Sequence, residues 1–258
     1  MHATRKSAVV IGLVLTLAAA GLAQESGWTG GAELDVNSKY VWRSLAWSEG
    51  AVLQPSVWVG TGGFTFSIWS NFVLNSGEDF SGKFNEVDYR MSYDIEAGSF
   101  TISPAFNVYT YPNQDSDFSP MTGELEIAVA YAIGSFSLET SHFFDVWNNA
   151  GGYVGDVGLA YETDAAEGLT LAAAVRLAFG NAKFHQYYVM EGLSGGLLGL
   201  VLEAGLTYTH ASGLYIRPHL EYNNILDKNV REAVKISEWL SLNKPSLFNF
   251  GLAVGFEF

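Results

Sequence analysis

The chain has 258 residues, with 13 Lys plus Arg against 27 Asp plus Glu, 28 glycines, 14% aromatic residues and no cysteine. That length holds one large domain or two small ones. The missing cysteines exclude a disulfide framework, a thiolate metal site and a lipid-modified N-terminal cysteine, and the acidic balance excludes the clustered bases that nucleic-acid phosphates need.

The first element is a leader. Arg5 and Lys6 precede the apolar run AVVIGLVLTLAAA, and Gly21-Leu22-Ala23 puts small residues where a signal peptidase inspects them. This predicts a secretory signal peptide over 1–23, cleaved before Gln24. The run is shorter than the about 20 apolar residues of a membrane span. Loss of Arg5 and Lys6 leaves 11 basic against 27 acidic residues, a net charge of −16.

After the leader the dominant period is two. In NEVDYRMSYDIEAG, Val87, Tyr89, Met91, Tyr93 and Ile95 alternate with Asp88, Arg90, Ser92, Asp94 and Glu96. Side chains on a strand point alternately to opposite faces, so this is a strand with one apolar and one polar face. Twelve such strands are expected: about 31–43 (apolar face Leu34, Val36, Tyr40, Trp42), 52–60, 63–72, the 85–98 segment just quoted, 99–109, 123–133 (Leu125, Ile127, Val129, Tyr131), 135–145, 152–162, 168–179, 198–210, 213–222 and the C-terminal stretch.

The connections alternate as well. Tight glycine-bearing turns follow strands two, four, six and ten (GTGG, EAGS, IGS, HASG), and the slightly longer ETDAAEG follows strand eight. Glycine supplies the positive φ that short hairpins require. The long polar segments 73–84, 110–122, 180–197 and 223–245 follow odd strands. Short turns at one end and long loops at the other are the pattern of outer-membrane barrels.

The C-terminus fits. In NFGLAVGFEF, Phe250, Leu252, Val254, Phe256 and Phe258 fall on one face, while Asn249, Gly251, Ala253, Gly255 and Glu257 fall on the other. In lipid an open sheet edge would leave backbone groups unpaired, so the last strand must close on the first. The terminal Phe258, with Phe256, resembles the signal read by the outer-membrane assembly machinery. The expected fold is all-β: a transmembrane antiparallel up-and-down β-barrel of about 12 strands over 24–258, in the outer membrane of a Gram-negative bacterium. A soluble sandwich or lipocalin-like barrel would show a similar period with its apolar face turned inward. Aromatics near strand ends (Tyr40, Trp42, Tyr153, Tyr208, Phe258) fit an interfacial girdle instead.

The stretch NSKYVWRS, followed by VLQPSVWVGTGGFTFSIWSNF, resembles the Gcw-type family of conserved hypothetical exported β-rich proteins, whose pattern reads Ser-x-Tyr-x-Trp-Arg-Gly. Ser38, Tyr40, Trp42 and Arg43 match, and Ser44 stands at the glycine. The resemblance implies an exported barrel and no particular substrate.

Parity assigns the other column to the lumen. Its acids are Glu33, Asp35, Asp88, Asp94, Glu124, Glu126, Glu139, Asp156, Glu203, Glu221 and Glu257; its bases are Lys39, Arg43, Arg90, Arg176 and Arg217, with His219 nearby. Such an excess favours cations, unless the charges simply pair across strands, with Arg90 set between Asp88 and Asp94. Trp58, Trp69, Tyr109 and Tyr215 also point inward. They either stack on a solute or plug a lumen too narrow to stay open.

No catalytic constellation is legible. Ser141 and His142 are adjacent and therefore face opposite ways. The other mature histidines lack metal-ligand spacing, and no nucleophile elbow or phosphate loop occurs. No cofactor is implied. The loops SGEDF and NQDSDF lack the ligand order of a calcium site. Over 227–240, Val230, Ala233, Val234 and Leu240 share one helical face, predicting a short helix at the mouth or a loop with a helical turn. The expectation is a non-enzymatic narrow channel for small polar solutes with a mild cation preference. The alternative is a non-conducting barrel whose outer loops meet a partner or lipopolysaccharide. Membrane lipid and the assembly machinery are the expected partners, and nucleic acid is not.

Overall fold

A computed structural model of the protein describes residues 27–75, 80–113, 121–237 and 240–258. The leader and most of the SGEDF and NQDSDF loops lie outside the described residues. Twelve strands form the wall: β1 Trp28–Asn37, β2 Val52–Thr61, β3 Phe64–Val73, β4 Phe84–Tyr93 continued after Asp94 as Ile95–Ala97, β5 Phe100–Thr110 and β6 Met121–Ile133. They continue with β7 Phe136–Asp145, β8 Tyr153–Ala166, β9 Leu169–Gly180, β10 Gly196–Thr209, β11 Leu214–Ile225 and β12 Ser246–Glu257. Each pairs antiparallel with its sequence neighbours, and β12 pairs with β1, closing the sheet. Two helices, α1 Ala182–Tyr188 and α2 Lys228–Val234, lie in the long-loop end.

Closure extends to the last residue. The Phe258 N–H donates to the Gly30 carbonyl at 2.9 Å, and the Gly30 N–H returns a bond to the Phe258 carbonyl at 3.1 Å. The Phe258 ring lies over Gly30, where a Cβ would come within 3.0 Å of its Cζ. The small inner column of β12 makes room for its neighbour. A Cβ on Gly251 would lie 2.1 Å from His219 Nε2, and one on Gly255 would lie 2.3 Å from the Tyr215 ring. Both glycines sit directly opposite those residues in the β11–β12 register.

The apolar column faces out. Leu138, Ile127 and Val254 are about half exposed, which a soluble barrel would not tolerate across its whole surface. Aromatic pairs ring both ends of this band. Phe100–Tyr131 (4.5 Å between centroids) and Phe136–Tyr161 (4.9 Å) stand near the short turns. Phe144–Tyr153 (4.9 Å) and Tyr222–Phe248 (4.7 Å) stand near the long loops. These are the girdles of a membrane barrel. Each of the five short turns carries a glycine at positive φ, among them Gly134 at 62° and Gly213 at 84°.

One expectation fails at the first strand. β1 ends at Asn37, and Tyr40 and Trp42 do not join the outer girdle. The chain leaves the wall and folds into the barrel as a hairpin, Val41–Trp42 paired with Leu45–Ala46. Its two turn residues, Arg43 (φ 51°) and Ser44 (φ 64°), both adopt the left-handed conformation of a type I′ turn. That explains the glycine at the Ser44 position of the pattern. Alternation continues through 38–43 on paper, but it cannot report that the strand has left its sheet.

Two outcomes test this wall. Val129 sits on the outward column of β6, so Val129→Arg is expected to cost about 2–4 kcal/mol, the penalty for a charge at the midplane of a barrel's lipid face; urea unfolding in lipid vesicles measures it. Phe258→Asp is expected to leave the protein unassembled, seen as loss of the heat-modifiable membrane form.

Candidate functional site

The lumen is layered. At the long-loop end it is filled by a hydrophobic core that the strands alone could not make. Leu45 from the hairpin, Phe184 from α1 and Val230 from α2 meet Leu198 and Ile225 from the wall, each at most 1% exposed. Both helices are set by side-chain caps. Asn181 accepts from the Phe184 N–H at 2.9 Å, and Asp227 accepts from Asn229 and Val230. The helix expected over 227–240 forms over seven residues, with Val230, Ala233, Val234 and Leu240 buried as the spacing required. Helix α1 carries no comparable signal, since KFHQYY is too short to show a period.

Arg43 is the centre of the plug. Its guanidinium reaches Glu124 with both nitrogens, at 2.8 and 2.5 Å, and its carbon lies 4.1 Å from the Trp42 ring and 4.6 Å from that of Phe143. Glu124 also accepts from the Tyr109 hydroxyl at 2.9 Å. The two charged side chains are 11% and 3% exposed. Trp42 further packs edge-on against Tyr109 and Tyr188, and Trp69 packs against Tyr40. Burial, with Glu86 and Asp88 close by, pushes the Tyr40 phenol well above its usual range, so it stays a donor to Glu86. Trp69 and Tyr109 therefore hold the plug, whereas Trp58 lies lower, over Gly31.

Beneath the plug a ladder of amides crosses five strands. Asn249 donates to Asn37 (3.1 Å), Asn37 to Gln54 (3.0 Å), Gln54 to Asn71 (2.9 Å) and Asn71 to Asn85 (2.7 Å). A register shift between Asn71 and Phe72 brings Asn85 to the inner side. Ser38 and the Lys39 N–H both donate to Asn249 (2.9 and 3.1 Å), tying the root of the hairpin to this ladder. Asn37, Gln54 and Asn71 each both donate and accept on this belt, as burial demands.

The lumen-lining residues are placed on the inner wall, but their pairing differs from expectation. Arg90 does not bridge Asp88 and Asp94 on its own strand. It reaches across β5 to Glu126, at 3.0 and 3.1 Å, and along its own strand it donates to Ser92 at 2.9 Å. Asn107, on the intervening strand, also donates to Glu126. Arg176 is shared by Glu139 (3.0 Å) and Glu203, Arg217 binds Glu33 (2.6 Å), and His219 contacts Asp35 (3.0 Å). Asp94 sits at the break in β4 and accepts from Ser103. Asp156 lies opposite Ser141 on the inner column, and Glu221 accepts from Asn223.

At the short-turn end these pairs wall a cavity of about 700 Å³, lined by Glu139, Glu162, Arg176, Glu203, His219, Glu221 and a set of alanines. A smaller hollow of about 330 Å³ between Glu33, Trp58, Tyr215 and Arg217 opens at the same end. The barrel is thus packed at one end and hollow at the other. Arg43→Ala would strand the Glu124 carboxylate, at an expected cost of about 3–5 kcal/mol. The double change Arg43→Met with Glu124→Met is expected to recover most of that loss in urea denaturation.

Among solved structures the chain is similar to the NanC porin, at 14% identity and a TM-score of 0.53, covering 86% of this chain and 98% of that one. It is also similar to an outer membrane channel from Pseudomonas putida F1 (10%, TM-score 0.50, 90% and 96%). A third is the KdgM porin in complex with disordered oligogalacturonate (10%, TM-score 0.50, 89% and 99%). At such identities the likeness establishes the twelve-stranded fold alone. No curated protein matches the sequence. The family model of the MltA-interacting protein MipA matches residues 19–188, a span that includes the hairpin and α1. This corrects the Gcw-type resemblance of the 37–72 stretch. The protein is an outer-membrane barrel of the Gram-negative kind, and the chain belongs to the MltA-interacting protein MipA family.

Proposed function

We propose that the protein is a closed, non-conducting barrel that holds a periplasmic partner at its short-turn end. The observation that carries this reading is the packed plug. Leu45, Leu198, Ile225 and Val230 fill the outer half of the lumen at 0–1% exposure, and a paired arginine locks the hairpin in place. Dislodging it would expose a hydrophobic core and separate a buried ion pair, both costly. The family's name, which describes an interaction with MltA, fits a barrel that serves as a membrane-fixed docking point. In this reading it has no catalytic step. Ser141 faces inward opposite Asp156, while His142 lies on the lipid face with its Nδ1 2.8 Å from the Tyr153 hydroxyl, so the wall separates them.

A second reading, a narrow channel for small polar solutes with a mild cation preference, is favoured by the carboxylate excess of the vestibule. Planar-bilayer recording separates the two. The closed reading expects no steady conductance from the intact mature protein and the appearance of steps when residues 39–50 are deleted. Steady cation-selective steps from the intact protein would overturn it in favour of the channel.

A further inference from the structure

The vestibule has a chemistry that the plug does not need. Its bases are already committed: Arg176 to Glu139 and Glu203, Arg217 to Glu33, His219 to Asp35. Glu162 and Glu221 line the same cavity and form no ion pair within 4 Å among the described residues, Glu221 accepting from Asn223 and sensing His219 and Arg176 only at longer range. Farther out, Asp94, Glu96, Asp164 and Glu257 are exposed around the mouth. Arg217, which lines the smaller hollow with Glu257 near that rim, is already held by Glu33. All six lysines after the leader (Lys39, Lys83, Lys183, Lys228, Lys235, Lys244) belong to the opposite end. Between the carboxylates the wall is bare: Ala132, Ala160, Ala172 and Ala174 leave an apolar lane with free volume.

We propose that this cavity is a receptor for a basic segment of the periplasmic partner, an extended stretch of peptide carrying lysine or arginine. This rests on the docking reading above and names the chemistry of what docks. The methylene stems of such side chains would lie along the alanine lane, and their charged heads would reach Glu162 and Glu221. A cavity of about 700 Å³ is of the size that encloses a small ligand or a few residues. Carboxylates concentrated within low-dielectric walls focus their field on the mouth, which draws in a cationic chain and repels an acidic one.

The test is fluorescence anisotropy with the full mature barrel in detergent and a labelled penta-lysine peptide. Binding is expected, at least ten-fold tighter than for penta-glutamate, and weakened at least ten-fold between 50 and 500 mM salt, as screening requires. Glu162→Gln with Glu221→Gln is expected to weaken it at least ten-fold, and Ala160→Lys, which puts a fixed cation in the lane, is expected to do the same. Glu232→Gln, on the exposed face of α2 at the opposite end of the barrel, is expected to leave it unchanged. Equal binding of the two peptides, or wild-type affinity in both vestibule variants, would overturn the proposal. Spermidine displacing the peptide at equal or lower concentration would assign the cavity to small amines and overturn the peptide reading. The outcome is independent of the conductance recording. A silent barrel that ignores penta-lysine loses this proposal alone, and a conducting barrel loses the closed reading whichever peptide it binds.

Discussion

Every feature of this molecule follows from one constraint: in a bilayer, each backbone N–H and C=O must find its partner inside the protein. A twelve-stranded sheet meets it only by closing, and closing leaves no residue to spare at the seam. At that seam the Phe258 backbone still pairs with Gly30, and its ring covers that glycine. The same seam sets the composition of β12. Gly251 and Gly255 on its inner column leave room because His219 and Tyr215 of the adjacent strand occupy the space a side chain would take, and Ala253 lies opposite Arg217.

Closure creates a second problem. Twelve strands enclose more volume than their own inward side chains can fill, since about eight strands already suffice for a filled interior. The protein solves this differently at its two ends. At the outer end the first long connection folds back into the lumen, and two short helices complete a hydrophobic core around it. At the inner end nothing comparable intrudes among the described residues, and the wall is left lined with paired charges around open space. The amide ladder through Asn37, Gln54 and Asn71 is the boundary between the two regimes.

The division of labour between the two basic residue types follows from the same physics. The four arginines within the barrel, Arg43, Arg90, Arg176 and Arg217, each engage a carboxylate across the wall. Guanidinium presents a rigid fork that matches a carboxylate and is weakly hydrated, which suits a confined site. The lysines, strongly hydrated, all stand in the outer connections. The acids stand at both ends, Asp227 and Glu232 at one and Asp94, Glu96, Asp164 and Glu257 at the other, so the end without lysines keeps the surplus. The resulting molecule is packed at its long-loop end and hollow, with a surplus of carboxylates, at its short-turn end.

The wall was legible in the residues themselves. A period of two, maintained over twelve segments and punctuated by a tight glycine turn at every second connection, determines strand number, closure and which column meets lipid, because each depends only on local geometry and on the solvent facing each side. Parity also placed Trp58, Glu126, Arg176 and Glu203 on the inner face. It failed at 38–46, where Tyr40 and Trp42 keep the alternation of β1 after the chain has left the sheet. It also could not choose partners: Arg90 met Glu126 and Arg43 met Glu124, residues 36 and 81 positions away. Which carboxylate an arginine reaches, and whether a loop enters the lumen or leaves it, depends on the register and curvature of the closed sheet. Those are properties of all twelve strands together, and only the tertiary structure decides them.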